Sequence, residues 1–325
     1  MTAADPALRP DAAGLAAPEW GGFDPARTRG RGWVDVRRSF LTAVRLGWQM
    51  EANWTDPLLF FIYSVAKPLA SALILVVMLD VIRAGSAARP DYRAFVVVGS
   101  ALWSFVLSGV SGLAWMILDD RERYRMLKYI YVSPSDFLAV IFGRGVARIG
   151  VGAMGAAITL VVGVVFLNVP FDVGRIDWIL LAAVMVLGVT SILAIGLLLA
   201  AICMQTRQES WSYPEAAAGA LFLISGVVFP LAVLPTPVQA LGLVTPLTWW
   251  IEGIRHALFA GGVSAIGGPG ALFTELTGAV SPSPAGIVFM LLATGAVATL
   301  GAVVVFRASD RRAKDRGLFD QTTGS

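Results

Sequence analysis

From Ala94 to Leu118 the chain runs 25 residues without a charged side chain. A helix needs roughly 20 apolar residues to cross the hydrocarbon core of a bilayer, so this stretch reads as a membrane span. Five others meet the same measure: Pro57 to Leu79, one starting near Phe137 and ending at Val169, Trp178 to Met204, Ala216 to Leu234, and Ala285 to Phe306. Lys67 and Pro68 interrupt the first of these, and Arg144 and Arg148 fall near the start of the next. Hydrophobic residues fill 57% of the 325 positions and charged residues 14%, with a mean hydropathy of +0.73. A soluble domain carries roughly 25% charged residues. Backbone in lipid must satisfy its own hydrogen bonds. The expected fold is an all-α membrane protein of six transmembrane helices.

An even number of spans puts both termini on one side, and the positive-inside rule selects that side. Lys and Arg number 7 before Pro57, 4 from Asp119 to Asp136, 1 after Met204 and 5 from Arg307 onward, against 5 on the opposite side. Both termini are expected in the cytoplasm and the protein in the plasma membrane. Residues 1–32 are rich in Ala, Pro, Gly and Arg, lack the apolar run of a signal peptide, and read as a disordered tail. Residues 33–306 read as the membrane domain and 307–325 as a second cytoplasmic tail.

Ahead of the first span, Trp33 to Glu51 gathers Trp33, Val36, Phe40, Leu41, Val44 and Trp48 on one helical face. Such a helix lies on the membrane surface among its lipids, or packs on a soluble partner. In the span after Phe137, Gly143, Gly145, Gly150, Gly152 and Gly155 would let helix backbones approach closely.

Several chemistries are excluded. Cys203 is the single cysteine, so no disulfide forms within the chain. His256 is the single histidine, which leaves no histidine-rich metal site. No stretch fits G-x-x-x-x-G-K-[ST], so the chain holds no phosphate-cradling loop and needs a partner for any ATP-driven work. No cofactor of its own and no nucleic-acid partner are expected.

Two stretches behave like neither span nor plain loop. Asp119 to Ser135 interleaves Arg121, Glu122, Arg123, Arg125 and Lys128 with Tyr124, Leu127, Tyr129 and Tyr131. Helical spacing gives it one aromatic face and one charged face. Arg and aromatic residues are the types enriched where proteins dock, so Glu122 to Tyr131 is expected to form a docking helix; the charges alone also suit a solvated loop. The second is Tyr213 to Ala260. Its apolar run is broken at Pro235, Pro237 and Pro246 before Trp249 and Trp250 meet Glu252, Arg255 and His256. That pattern reads as a re-entrant helical hairpin on the outer side, its tryptophans at headgroup level and its charges toward water or a partner subunit. It serves as a lid over an exit path or as an interfacial anchor.

These stretches resemble a known family. The run E-R-Y-R-M-L-K-Y-I-Y-V-S-P looks like the segment between helices two and three of type-2 ABC exporter permeases. S-G-V-V-F-P-L-A-V-L-P followed by P-L-T-W-W-I-E-G-I-R, from Ser225 to Arg255, is similar to the family's signature around its fifth helix and external hairpin. A Gly-Thr pair common in the family is replaced by Arg125-Met126, and an acidic position just after it by Lys128. The resemblance implies a dimer, homo- or heteromeric, of six-helix permease subunits, each docked on a cytoplasmic ATPase that binds the ATP. It implies export of drugs, lipids or lipid-linked saccharides. Arg121, Glu122, Arg123, Tyr124, Arg125, Leu127, Lys128 and Tyr131 would then form the docking helix.

Two other classes fit fragments of the sequence. Gly109-Val110-Ser111-Gly112 together with His256 suits an intramembrane serine protease, provided that Ser111 and His256 meet. An ion-driven transporter would want acidic residues inside the membrane, where only Asp80 and Asp119 stand at span edges. Lys67 lies roughly 15 Å into the first span at 1.5 Å per residue. It is expected on the translocation path or the subunit interface, or snorkelling to the surface.

Overall fold

A computed structural model describes residues 32–52, single positions between 62 and 78, and residues 90–133, 135–166, 169, 171–206, 210–259 and 264–315. The tail 1–31, Lys67 and nearly all of the first apolar stretch lie outside the described residues. Among the described residues the regular structure is entirely helical. The longer helices are α1 (Trp33–Ala52), α2 (Pro90–Leu118), α4 (Phe137–Phe166), α5 (Trp178–Gln205) and α10 (Pro284–Asp315). Between them stand the shorter α3 (Leu127–Val132), α6 (Ser212–Ile224), α7 (Thr236–Val244), α8 (Pro246–Leu258) and α9 (Leu272–Thr277).

Four helices are long and apolar enough to cross a bilayer: Ala94–Arg123, Phe137–Phe166, Trp178–Gln205 and Pro284–Ala313. They coincide with four of the six expected stretches, and the chain is a multi-pass membrane protein. The stretch Ala216 to Leu234 departs from expectation. Its helix α6 has 13 residues, about 20 Å at 1.5 Å per residue, against a core about 30 Å thick. The helix stops at Ile224 because Gly226 takes a left-handed φ of +66°, a conformation that costs glycine little. Turns and a single 3₁₀ turn at Leu231–Val233 follow.

Helix α2 forms the centre, packed on α4 and α5 and buried along most of its length. The close approach runs through small residues. A Cβ on Gly196 of α5 would stand 2.8 Å from the Gly109 carbonyl of α2, and one on Gly152 of α4 would stand 2.7 Å from Ser108 Cβ. Gly143 serves the opposite face of α4, where an added Cβ would meet the Phe40 carbonyl of α1 at 2.6 Å. The glycines of α4 therefore divide between two interfaces.

That second interface corrects the reading of α1. Its inward line is Phe40, Ala43, Val44, Gly47 and Met50, packed on α4. Trp33, 81% exposed, Leu41 and Trp48 face outward instead. The apolar arc is wide enough to be shared between the protein and its surroundings. One helix of the same chain takes the place of the soluble partner.

Helix α8 also departs from expectation. Apart from His256, every residue of α8 is buried. Trp250 packs closely on Gly188 of α5 and tilts against Phe105 of α2, the two ring centroids 5.4 Å apart. Trp249 donates its indole N–H to the Leu243 carbonyl at 2.7 Å and meets Phe273 edge-on. Both tryptophans are core residues of the bundle: Gly188 opens room for the Trp250 ring, and Trp249 is held by the Leu243 carbonyl and Phe273.

Candidate functional site

Polar side chains concentrate at two places. The first lies where α2 ends. Asp119–Arg123 continue α2 as one π-helical turn, closed by the Tyr124 N–H donating to the Asp119 carbonyl at 2.8 Å. Arg125 then turns left-handed, with φ +51°, and α3 begins two residues later. The expected single helix from Glu122 to Tyr131 is thus two short pieces joined at Arg125. The wider π turn rotates the chain, which redistributes the residues named for docking. Arg121 and Leu127 are buried. Arg121 donates to the Cys203 and Thr206 carbonyls, both at 3.0 Å, and to Ser210 Oγ. It caps the end of α5 and pairs with Glu122 at 2.8 Å. The exposed tip consists of Arg123, Tyr124, Arg125, Met126 and Tyr129, the last 68% exposed. Arg123 stands over the Tyr124 ring at 5.6 Å. The side chains of Lys128 and Tyr131 lie outside the described residues.

Beneath this tip a network of charge binds three helices. Arg144 of α4 pairs with Asp120 of the π turn, both buried. One turn further along, Arg148 pairs with Glu51 of α1 at 2.7 Å, reaches Asp119 at 3.6 Å, and donates to the Gly112 carbonyl of α2 at 3.0 Å. The network surrounds a cleft of about 150 Å³ that Arg123 and Tyr124 also line. The sequence held a signal for it. Arg144 and Arg148 share one helical face at four-residue spacing, and consecutive carboxylates at 119 and 120 answer them.

The second place is α8. Arg255 donates to the Gly226 carbonyl at 2.8 Å, the Val227 carbonyl at 2.7 Å and the Phe95 carbonyl at 3.1 Å, with its guanidinium 3.6 Å above the Phe95 ring. Two of these acceptors belong to the turn where α6 breaks off. Glu252, 0% exposed, accepts from the Ala265 N–H at 2.8 Å and from the Ser264 hydroxyl. His256 stands 3.5 Å from Glu252 and 3.1 Å from Ser281 Oγ. The expectation that Glu252 and Arg255 point to water or a partner is overturned. Each satisfies backbone groups of irregular chain flanking α8, which apolar side chains could not do. Sequence reasoning missed Gln239, which does the same by accepting from the Leu272 N–H at 2.7 Å and donating to the Leu234 carbonyl at 2.8 Å.

Ser111 donates to the Pro214 carbonyl at 3.1 Å. It lies 16 residues along α2 from Phe95, the residue that Arg255 touches, about 24 Å at 1.5 Å per residue. Ser111 and His256 therefore do not meet, and the protease reading is excluded. Among the described residues no group of His, Cys, Asp and Glu is placed to hold a metal.

The model of the ABC-2 type transporter family matches residues 41–259, a span that contains the ion network and all of α8. The chain belongs to the ABC-2 type transporter family. No curated protein matches it. Within this ABC-2 subunit, the exposed left-handed Arg125 is a point of strain, since a side chain costs about 1–2 kcal/mol in that conformation. Arg125→Gly is expected to raise the unfolding midpoint of the purified protein, by about 1 kcal/mol in stability. A lowered midpoint would show that the side chain contributes more than its backbone costs.

Proposed function

We propose that the protein is the permease subunit of an ABC exporter, driven by ATP that a separate cytoplasmic ATPase subunit binds and hydrolyses. The family match carries this reading. The supporting geometry is an exposed tip of Tyr124, Met126 and Tyr129 flanked by Arg123 and Arg125, rooted in an ion network that joins α1, α2 and α4. A push on the tip reaches three helices through Asp119 and Asp120. In this reading the tip docks on the ATPase, the termini are cytoplasmic, and two six-helix permease subunits form the path. A hydrophobic or lipid-linked substrate leaves the cytoplasm or inner leaflet. Lys67 is assigned to that path, and the outward Trp33, Leu41 and Trp48 to surrounding lipid.

Vesicles holding the protein and its ATPase are expected to accumulate substrate with ATP, and vesicles lacking the ATPase are not. Tyr124→Asp with Tyr129→Asp, both exposed, is expected to abolish co-purification with the ATPase while membrane insertion stays normal. ATP hydrolysis by the purified subunit alone would overturn the assignment. Docking through this tip fails if the double variant still co-purifies.

A further inference from the structure

A second cavity, of about 310 Å³, opens between α2, α4 and the ends of α1 and α6. Its volume falls within the range of pockets that hold small ligands. Trp115, Leu107 and Val151 form an apolar wall, and the charged lining is Glu51, Arg148 and Glu215. Two carboxylates therefore face one guanidinium. That guanidinium is already engaged, with Glu51 at 2.7 Å, Asp119 at 3.6 Å and the Gly112 carbonyl at 3.0 Å. An anion entering here would compete with two carboxylates for a single cation. Glu215, in the first turn of α6, has no hydrogen-bond or ion-pair partner among the described residues. Its charge complements the positive end of that helix dipole and is left over for a ligand. An indole on the same wall attracts a cation over its face, most strongly where water is thinned out.

We propose that this cavity binds an amphiphilic organic cation, such as a quaternary ammonium or a protonated amine, between the Glu215 carboxylate and the Trp115 indole. Its apolar part lies against Leu107 and Val151. As a statement about the exported substrate this rests on the permease reading; as a statement about binding it stands alone.

The test uses the full chain in lipid nanodiscs, without any ATPase, and equilibrium dialysis with radiolabelled benzyltrimethylammonium. Saturable binding is expected, undisplaced by phenylmethanesulfonate, which resembles the probe in shape but carries the opposite charge. Glu215→Gln is expected to weaken binding tenfold or more, Trp115→Leu several-fold, and Glu215→Asp to keep most of it. Glu215 is exposed, so its variants are expected to fold, and an unchanged unfolding midpoint checks this. Equal binding of the sulfonate, or unchanged affinity in Glu215→Gln, overturns the proposal. Cation binding without ATP-dependent cation transport in the presence of the ATPase would separate the site from the exported substrate and leave the site standing. Transport without cation binding would overturn the site and leave the permease reading standing.

Discussion

Arg255→Leu is expected to cost on the order of 3–5 kcal/mol, because it strands buried carbonyls at roughly 1–3 kcal/mol each. The carbonyls of Phe95, Gly226 and Val227 all accept from this one guanidinium. Water has little access, since Arg255 is buried and Gly99 of α2 lies so close that an added Cβ would stand 2.6 Å from Arg255 Nη2. The loss should appear as a lower unfolding midpoint in detergent and as protease cleavage near Gly226. Arg255→Lys is expected to recover only part of it, because a single ammonium cannot reproduce the fork that reaches three acceptors. An Arg255→Leu protein with the wild-type midpoint would refute this account of how the chain breaks after Ile224.

The long helices were legible because their signal is one of length and polarity, and neither depends on neighbours. Ala94 to Leu118 needed nothing beyond its own composition. What was illegible depended on partners distant in sequence. Trp249, Trp250, Glu252 and Arg255 have the makeup of an interfacial hairpin, yet Gly188, Gly226 and Ser264 supply the space and the hydrogen-bond partners that bury them. A residue's own polarity does not reveal that broken backbone nearby needs a donor. The α2–α3 junction failed for a different reason. A period of 3.6 residues per turn does not hold across a π turn and a left-handed residue, so Arg121 and Leu127, which that period puts on a docking face, lie inside. Arg123, Tyr124 and Arg125, named for the same face, are exposed. The sequence shows Arg144 and Arg148 as charges near the start of a span, but not their partners on α1 and the π turn.

That ion network offers the second large effect. Arg144→Leu is expected to destabilise by about 3–5 kcal/mol, since it leaves the buried Asp120 carboxylate without its cation. Asp120→Leu alone should cost a similar amount by isolating Arg144. The double variant Asp120→Leu with Arg144→Leu is expected to regain most of the loss, because two apolar side chains carry no desolvation penalty. The coupling energy from the four proteins isolates the pair from whatever else each residue touches. Arg148 tests the contrast. Its partners Glu51 and Asp119 are about 30% exposed at their side chains, so Arg148→Leu should lose far less stability, in the range of partly solvated pairs. If the Asp120 and Arg144 losses simply add, the buried pair is not what fastens the π turn to α4. If they cancel in the double variant while ATP-driven transport stays low, the pair's role lies in transmission from the tip rather than in holding the fold.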